Sequence, residues 1–231
     1  MTGNSRRVDS RQLGVDHRLP ELIARYRASE YQKPVAEHTR EAFGWLCDQV
    51  NLSQHRLLLD SGCGTGASTR HLARGETADP ALLDIPPTLF IGVDQSAARL
   101  RSEQWGGPGR QDGNVILLRA ELTDFWRLLA GAGIRLAHHY ILYPNPWPKP
   151  SQLQRRWHAH PAFAAVLELG GRLTLRTNWA AYAEEFAAAL SAYGRTGAKA
   201  ARISPDPPMS PFENKYLASG HPLYGVCYDL G

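Results

Sequence analysis

The sequence is poor in cysteine and in long apolar runs. Its 231 residues include three cysteines, Cys47, Cys63 and Cys227, which are too few and too scattered for a disulfide framework or a four-ligand zinc site. No apolar run approaches the length of a membrane span, and no hydrophobic signal segment follows the first residues. These absences favour a protein of the cytoplasm.

The overall composition is that of a folded protein with a slight basic excess. Hydrophobic residues make up 43% and charged residues 21% of the chain, as in ordinary globular domains. The formal net charge is +4 and the pI is about 9.1. A basic balance of this size is compatible with a polyanionic partner such as RNA but does not require one.

The chain divides at about residue 50 into a basic lead and a larger domain. The first dozen residues lack apolar periodicity, which predicts an unstructured arm, and Pro34 to Val50 reads as an amphipathic covering helix. The arginines of this lead fit either an electrostatic arm for RNA or a solvated tail. We therefore predict an N-terminal extension over residues 1–50 and one domain over residues 51–231.

From Asn51 onward the pattern alternates between strand and helix. This order predicts an α/β fold with a mostly parallel sheet and helices on both faces. Residues 79–88 read as a surface insertion, and the last strand is expected to close the sheet as an antiparallel hairpin. The predicted strands lie near residues 57–59, 89–93, 115–118, 139–142, 172–175 and 223–230, and the predicted helices near 67–73, 163–167 and 179–190.

A glycine-rich turn follows the first strand. Leu57 to Leu59 lead into Asp60, and Gly62, Gly64 and Gly66 then form a G-x-G-x-G turn. Glycine allows positive φ and close approach to a ligand. The next apolar strand ends in Asp94, where an acid commonly accepts ribose hydroxyls. The pattern predicts a nucleoside site at the carboxyl ends of neighbouring strands.

Related glycine motifs fit less well. A dinucleotide site prefers G-x-G-x-x-G, and a P-loop requires G-K-[ST], whereas Ala67 and Ser68 follow Gly66. An ordinary tight turn is the simplest alternative. The spacing of Asp60, the glycines and Asp94 resembles that of class I S-adenosylmethionine (SAM) methyltransferases. That resemblance implies SAM as cofactor and places Glu121 near the adenine, with Asp124 as a close alternative and an acid at an ordinary helix start as the simplest one.

A proline-rich segment leaves the fourth strand at the same edge. Prolines 144 and 146 flank Asn145, and Trp147 follows, so that one amide is held beside an aromatic plane. Such a pair suits a flat nucleic-acid base. Beyond it, Arg155 and Arg156 are candidates for phosphate contact, with a solvated helix face as the alternative.

The loop and three later motifs resemble, in order, those of the bacterial tRNA (guanine-N7-)-methyltransferases. The likeness covers about residues 57–230 and implies a Rossmann-like class I methyltransferase fold with a seven-stranded sheet and tRNA as substrate. The motifs are Tyr143-Pro-Asn-Pro-Trp-Pro-Lys149, Arg155-Arg156, Thr177-Asn178-Trp179 with Tyr182, and Ser210-Pro-Phe-Glu213.

The departures from that family bear on the chemistry. The family has aspartate where this chain has Asn145 and Asn178, histidine at Gln152, and threonine at Ser210. Guanine N7 carries a free lone pair, so its methylation needs in-line placement and no obligatory base. A carboxylate would stabilise the charge that develops on the purine, and an amide would do so less. Asn145 therefore keeps open methylation of an exocyclic amine. The loss of both aspartates keeps open a diverged protein that binds SAM or RNA with little turnover, and the small basic excess keeps open a non-RNA acceptor.

The predicted roles follow from these resemblances. No metal is predicted, because histidines 138, 139, 158 and 160 lack a recognised zinc spacing and methyl transfer needs none. The oligomeric state stays open. Predicted catalytic residues are Asn145, Arg155 and Asn178; cofactor-binding residues are Asp60, Gly62, Gly64, Gly66, Asp94 and Glu121; substrate-binding residues are Trp147, Lys149, Arg156, Ser210 and Glu213.

Overall fold

A computed structural model describes residues 4–75 and 88–231, and these residues form one mixed sheet with helices on both faces. The predicted insertion at 79–88 lies outside the described residues except for Thr88. The strands are β1 Arg56–Ser61, β2 Thr88–Asp94, β3 Gly109–Asp112, β4 Val115–Arg119, β5 His138–Leu142, β6 Arg172–Thr177, β7 Ala201–Ile203 and β8 Leu223–Asp229. The helices are α1 Leu19–Arg27, α2 Glu37–Gln49, α3 Ala67–Ala73, α4 Ala97–Leu100, α5 Leu122–Gly131, α6 Phe163–Glu168, α7 Ala180–Ala192 and α8 Pro211–Ala218.

The strand order is β3-β4-β2-β1-β5-β6-β8-β7. Strands β4, β2, β1, β5 and β6 are parallel, whereas β8 runs antiparallel to both β6 and β7. The Rossmann-like class I methyltransferase fold and its antiparallel end are thus confirmed. The strand number was wrong, since the described residues form eight strands. The additional β3 pairs with β4 at the sheet edge, and its short Gly-Arg-Gln-Asp sequence carries no apolar pattern that would reveal it.

The apolar run of β1 supplies both faces of the sheet. Leu57 and Leu59 join the core under α1, α2, α5, α6 and α7, while Leu58 joins the core on the α3 side. Successive side chains of a strand point to opposite faces, so a strand covered on both faces needs an unbroken apolar run. Burial of both faces explains why the apolar residues of β1 form a continuous run and do not alternate with polar residues.

The N-terminal lead contributes to the core. Leu19 and Ile23 of α1 and Leu46 of α2 are buried in the cluster that includes strand residues. Within residues 4–12, the described part of the first dozen, the prediction of an unstructured arm was wrong, since Ser10 Oγ donates to the Pro148 carbonyl and Gln12 Nε2 to Glu185. The boundary at residue 50 stays a prediction. Within the described ranges, no helix combines the length and apolar character that a bilayer span requires.

If α2 folds as one unit with the sheet, truncating the buried Leu46 side chain of this helix will destabilise the whole domain. We expect Leu46→Ala to lower the free energy of unfolding by about 2–5 kcal/mol because it opens a cavity, as measured by urea denaturation. The exposed Gln49→Ala on the same helix should change it by less than about 0.5 kcal/mol. An unchanged main transition for Leu46→Ala would contradict this packing.

Candidate active site

A cavity of about 370 Å³ opens where the chain reverses its path across the sheet. From β1 the chain proceeds outward to β2, β3 and β4, then returns to β5 on the other side of β1. Ligands bind at such topological switch points, beyond the carboxyl ends of the strands. The cavity is lined on one side by the turns after β1 and β2 and on the other by residues 143–147.

The glycine turn is held rigidly against β2. The Gly62 and Cys63 amides both donate to the Val93 carbonyl at 2.8 and 3.1 Å. Gly66 has φ +75°, and a Cβ there would lie 2.6 Å from the Leu117 side chain. Only glycine fits both conditions. Of the three glycines in the turn, Gly62 lines the cavity.

Asp94 connects the turn to the end of β2 and lines the cavity. Its Oδ2 accepts from the Gly64 amide at 3.0 Å and its Oδ1 from the Ser96 amide at 2.8 Å. A carboxylate oxygen has two lone pairs, so each oxygen can accept one more hydrogen bond. That capacity fits two neighbouring ribose hydroxyls.

Gln95 provides the wall next to Asp94. Its side-chain nitrogen, in the amide orientation that satisfies its hydrogen bonds, lies 3.0 Å from Glu121 Oε2. Glu121 itself is half-buried and precedes α5 without lining the cavity, whereas Gln95 and Leu122 line it. An adenine that enters here would meet Gln95 first, with Glu121 behind it.

The opposite wall is a strained proline-rich loop. Tyr143 has φ +52° and Trp147 has φ +47°, a left-handed conformation that costs roughly 1–2 kcal/mol for a residue with a Cβ. Asn145 between them is exposed, lines the cavity and makes no side-chain hydrogen bond with the described residues. The loop therefore presents one unpaired amide to the cavity.

Two ion pairs with buried carboxylates hold the strained residues. The Tyr143 hydroxyl donates to Glu213 Oε1 at 2.7 Å, and Arg176 Nη1 reaches both oxygens of Glu213 at 2.9 and 2.8 Å. Burial and the neighbouring Glu213 raise the pKa of Tyr143 far above its usual range, so the phenol stays a donor. The Trp147 carbonyl accepts from Arg156, whose charge is paired with Glu185.

Comparison with known proteins decides the family. A family model described as "Putative methyltransferase" matches residues 54–226. The chain belongs to this methyltransferase family. The protein named tRNA (guanine-N(7)-)-methyltransferase from Acidovorax sp. (strain JS42) is 28% identical over 179 residues, 74% of this chain and 67% of that protein.

One further relative and one solved structure are also similar to the chain. A protein of the same name from Acidithiobacillus ferrooxidans is 35% identical over 124 residues, 50% of this chain and 53% of that protein. The chain thus spans about half to two thirds of the length of these two relatives. The solved structure of human methyltransferase-like protein 13 in complex with SAH is 17% identical, with a TM-score of 0.49, and the match covers 85% of this chain and 83% of that one.

The site of this methyltransferase fits S-adenosyl-L-methionine. Asp94 has the acceptor capacity for a ribose, Gly62 allows close approach, and Gln95 stands in front of Glu121 where an adenine would lie. The cofactor carries the reactive methyl group when it is bound. Among the described side chains, no three His, Cys, Asp or Glu groups are placed as metal ligands would be.

Three of the predicted ligand-contacting residues are buried side chains with partners inside the protein, although Asp60 Oδ1 has no partner among the described residues. Asp60 accepts from the hydroxyls of Ser68 and Thr69 beneath the turn. Arg156 and Glu213 have no exposed surface, since each is consumed by its ion pair. The three residues support the loops from behind, and their predicted contacts with a ligand stay predictions.

Asn178 is not brought to the same cavity as Asn145. It follows β6, one strand farther from the switch point, and its Nδ2 lies 3.2 Å from His221 Nδ1. The N-terminal residues Arg7, Val8, Gln12 and Leu13 line a separate cavity with it. Its predicted catalytic role therefore lacks support from the geometry.

The other predicted residues surround the loop. The Arg155 guanidinium lies 4.8 Å from the centre of the Trp147 ring, Lys149 is exposed, and the Ser210 side chain caps α8 by accepting from the Glu213 amide. This helix brings Phe212 and Tyr216 to the cavity. The sequence contained a signal for the start of α8. A serine, a proline at the first helical position and a glutamate three residues after the serine are typical of a helix start.

Burial of Asp60 makes the stability of the glycine turn pH-dependent. Burial raises its pKa from 3.8 to about 6, so the folded state binds more protons than the unfolded state between these values. Stability contributed by this group is thus present at low pH and declines as the pH rises from about 4 through 6, by about 3 kcal/mol from a shift of this size.

The expected outcome is a pH-dependent difference between the wild type and Asp60→Asn. Urea unfolding at pH 4.5 and 7.5 should show the wild type losing stability relative to the variant, which carries no titrating group there. A difference that stays constant over this interval would contradict the assignment, because any packing cost of the amide is independent of pH.

Proposed function

We propose that this methyltransferase transfers the methyl group of SAM to tRNA, with guanine N7 as the acceptor, in the cytoplasm. The observation that carries the proposal is the unpaired Asn145 amide in one cavity with Gly62 and Asp94. The names of the relatives from Acidovorax and Acidithiobacillus support tRNA as the substrate. The basic excess of the chain supports a polyanion.

The lining of the cavity supports a planar acceptor. Trp147 offers an aromatic face beside Asn145, and Tyr143, Phe212 and Tyr216 surround the opening. Aromatic side chains stack on splayed bases. Asn145 can donate from its nitrogen and accept at its oxygen, which suits the edge of a base. These groups hold the acceptor atom in line with the methyl group, the main requirement of this reaction.

Methylation of guanine N7 depends on N7 itself and on the groups that this loop places around it. N7 attacks with its own lone pair, so no residue has to remove a proton first. The developing positive charge meets the Asn145 dipole instead of a carboxylate. Glu213 behind Tyr143 does not replace that carboxylate, because its charge is paired with Arg176 at 2.8 Å. We therefore expect slower transfer than an aspartate at this position would give.

The second candidate is methylation of an exocyclic amine. Asn145 favours it specifically, because an amide oxygen can accept a hydrogen bond from the amine and direct its lone pair. A third possibility, binding with little turnover, is motivated by the missing carboxylates. The three differ in how they respond to a carboxylate at position 145.

The deciding experiment combines product analysis with that substitution. Purified protein is incubated with SAM carrying a deuterated methyl group and unmodified tRNA, and the nucleosides are analysed by mass spectrometry. We expect labelled 7-methylguanosine, and Asn145→Asp should accelerate its formation by up to about a hundredfold, the typical weight of one preorganised group. Asn114→Asp, which adds the same charge in an exposed turn, should leave the rate unchanged.

Other outcomes separate the alternatives. Label confined to an exocyclic amine, with a slower Asn145→Asp variant, would replace guanine N7 by the second candidate. Absence of label from the wild type together with rapid labelling by Asn145→Asp would identify a protein that has lost turnover. Absence of label from both would refute methyl transfer to tRNA.

A further inference from the structure

The Arg156 guanidinium is completely buried and donates hydrogen bonds to the main chain of the proline-rich loop, residues 143–147. Its Nε and Nη2 donate to the Trp147 carbonyl at 3.2 and 3.0 Å, and its plane lies over the Trp179 ring at 4.8 Å. A buried charge is tolerated only when it is paired and its donors are satisfied. Glu185 supplies the opposite charge, and its carboxylate pairs with Nη1 of Arg156.

The N-terminal arm completes this network. Gln12 Oε1 accepts from Arg156 Nη2 at 3.1 Å, while Gln12 Nε2 donates to Glu185 Oε1 at 2.6 Å. Ser10 of the same arm donates to the carbonyl of Pro148, directly after Trp147, at 3.1 Å. The arm is thus bonded to both the loop and the ion pair that holds the loop.

Trp147 needs such a clamp because its conformation is unfavourable. Its φ of +47° is rare for a residue with a Cβ, and Pro148 restricts the residue before it further. Prolines 146 and 148 carry no amide hydrogen and cannot donate a backbone hydrogen bond. The Trp147 carbonyl is therefore a main-chain group through which hydrogen bonds can hold this part of the loop. The same tryptophan lines the cavity beside Asn145.

We propose that Gln12 and Arg156 are positioning residues, through which the N-terminal arm sets the orientation of Trp147 and hence the rate of methyl transfer without touching the acceptor. The inference rests on the proposed function. It assigns to the arm a role distinct from electrostatic attraction of RNA, because an uncharged side chain carries the effect.

A double-mutant cycle distinguishes positioning from a general loss of stability. Gln12→Ala should lower kcat by roughly tenfold to a hundredfold, the effect expected of a small misplacement in an active site, with the KM for SAM unchanged. In a Trp147→Ala background the same substitution should have no further effect on kcat, because the group that it positions is gone. Gln49→Ala, an exposed glutamine on α2, serves as the control.

Hydrogen exchange tests the clamp independently of activity. In Gln12→Ala, peptides that cover residues 143–149 should exchange about tenfold faster, as expected when hydrogen bonds to a charged network are lost, while peptides from β1 and β5 exchange as in the wild type. Unchanged exchange of 143–149, or kcat losses that multiply in the double variant, would overturn the inference. If Gln12→Ala shows this exchange response while the wild type produces no methylated tRNA, the proposed function is refuted and the contact between the arm and the loop stands.

Discussion

The reversal of the chain between β1 and β5 is the constraint on which the rest of the molecule depends. Parallel strands that diverge on either side of β1 leave a cleft beyond their carboxyl ends, and here the cleft receives the glycine turn from one side and the Asn145 loop from the other. Two segments that lie far apart in sequence therefore face each other across one cavity. Their chemistry can be understood only as a pair.

Both segments are stabilised from behind by buried charge. Asp60 supports the glycine turn through two hydroxyls, Glu213 with Arg176 supports Tyr143, and Glu185 with Arg156 supports Trp147. Charges removed from water are costly unless paired, so these groups add specificity of loop conformation more than net stability. This arrangement leaves Asp94 and Asn145 as the polar groups best placed to meet ligands.

Of the predicted cofactor contacts, Gly62 and Asp94 line the cavity, whereas Asp60 and Glu121 do not. Gly62 and Asp94 could be predicted because each follows an apolar strand directly. The roles of Arg155 and Arg156 could not be separated, since the partners of Arg156 lie 29 residues after it and 144 residues before it, and neighbouring arginines give no sign of which one turns inward. The sequence could not show that Asn178 lines a different cavity from Asn145, because a motif reports order along the chain and not which cavity a strand end faces.

The central claim is spatial: the donor bound over the glycine turn directs its sulfur toward Asn145. A crystal structure of the protein with S-adenosylhomocysteine tests it most directly. The account predicts both ribose hydroxyls within hydrogen-bonding distance of Asp94 and the sulfur facing the Asn145 amide, with room for a methyl group and a base between them. A ligand whose ribose avoids Asp94, or whose sulfur points away from residues 143–147, would contradict it.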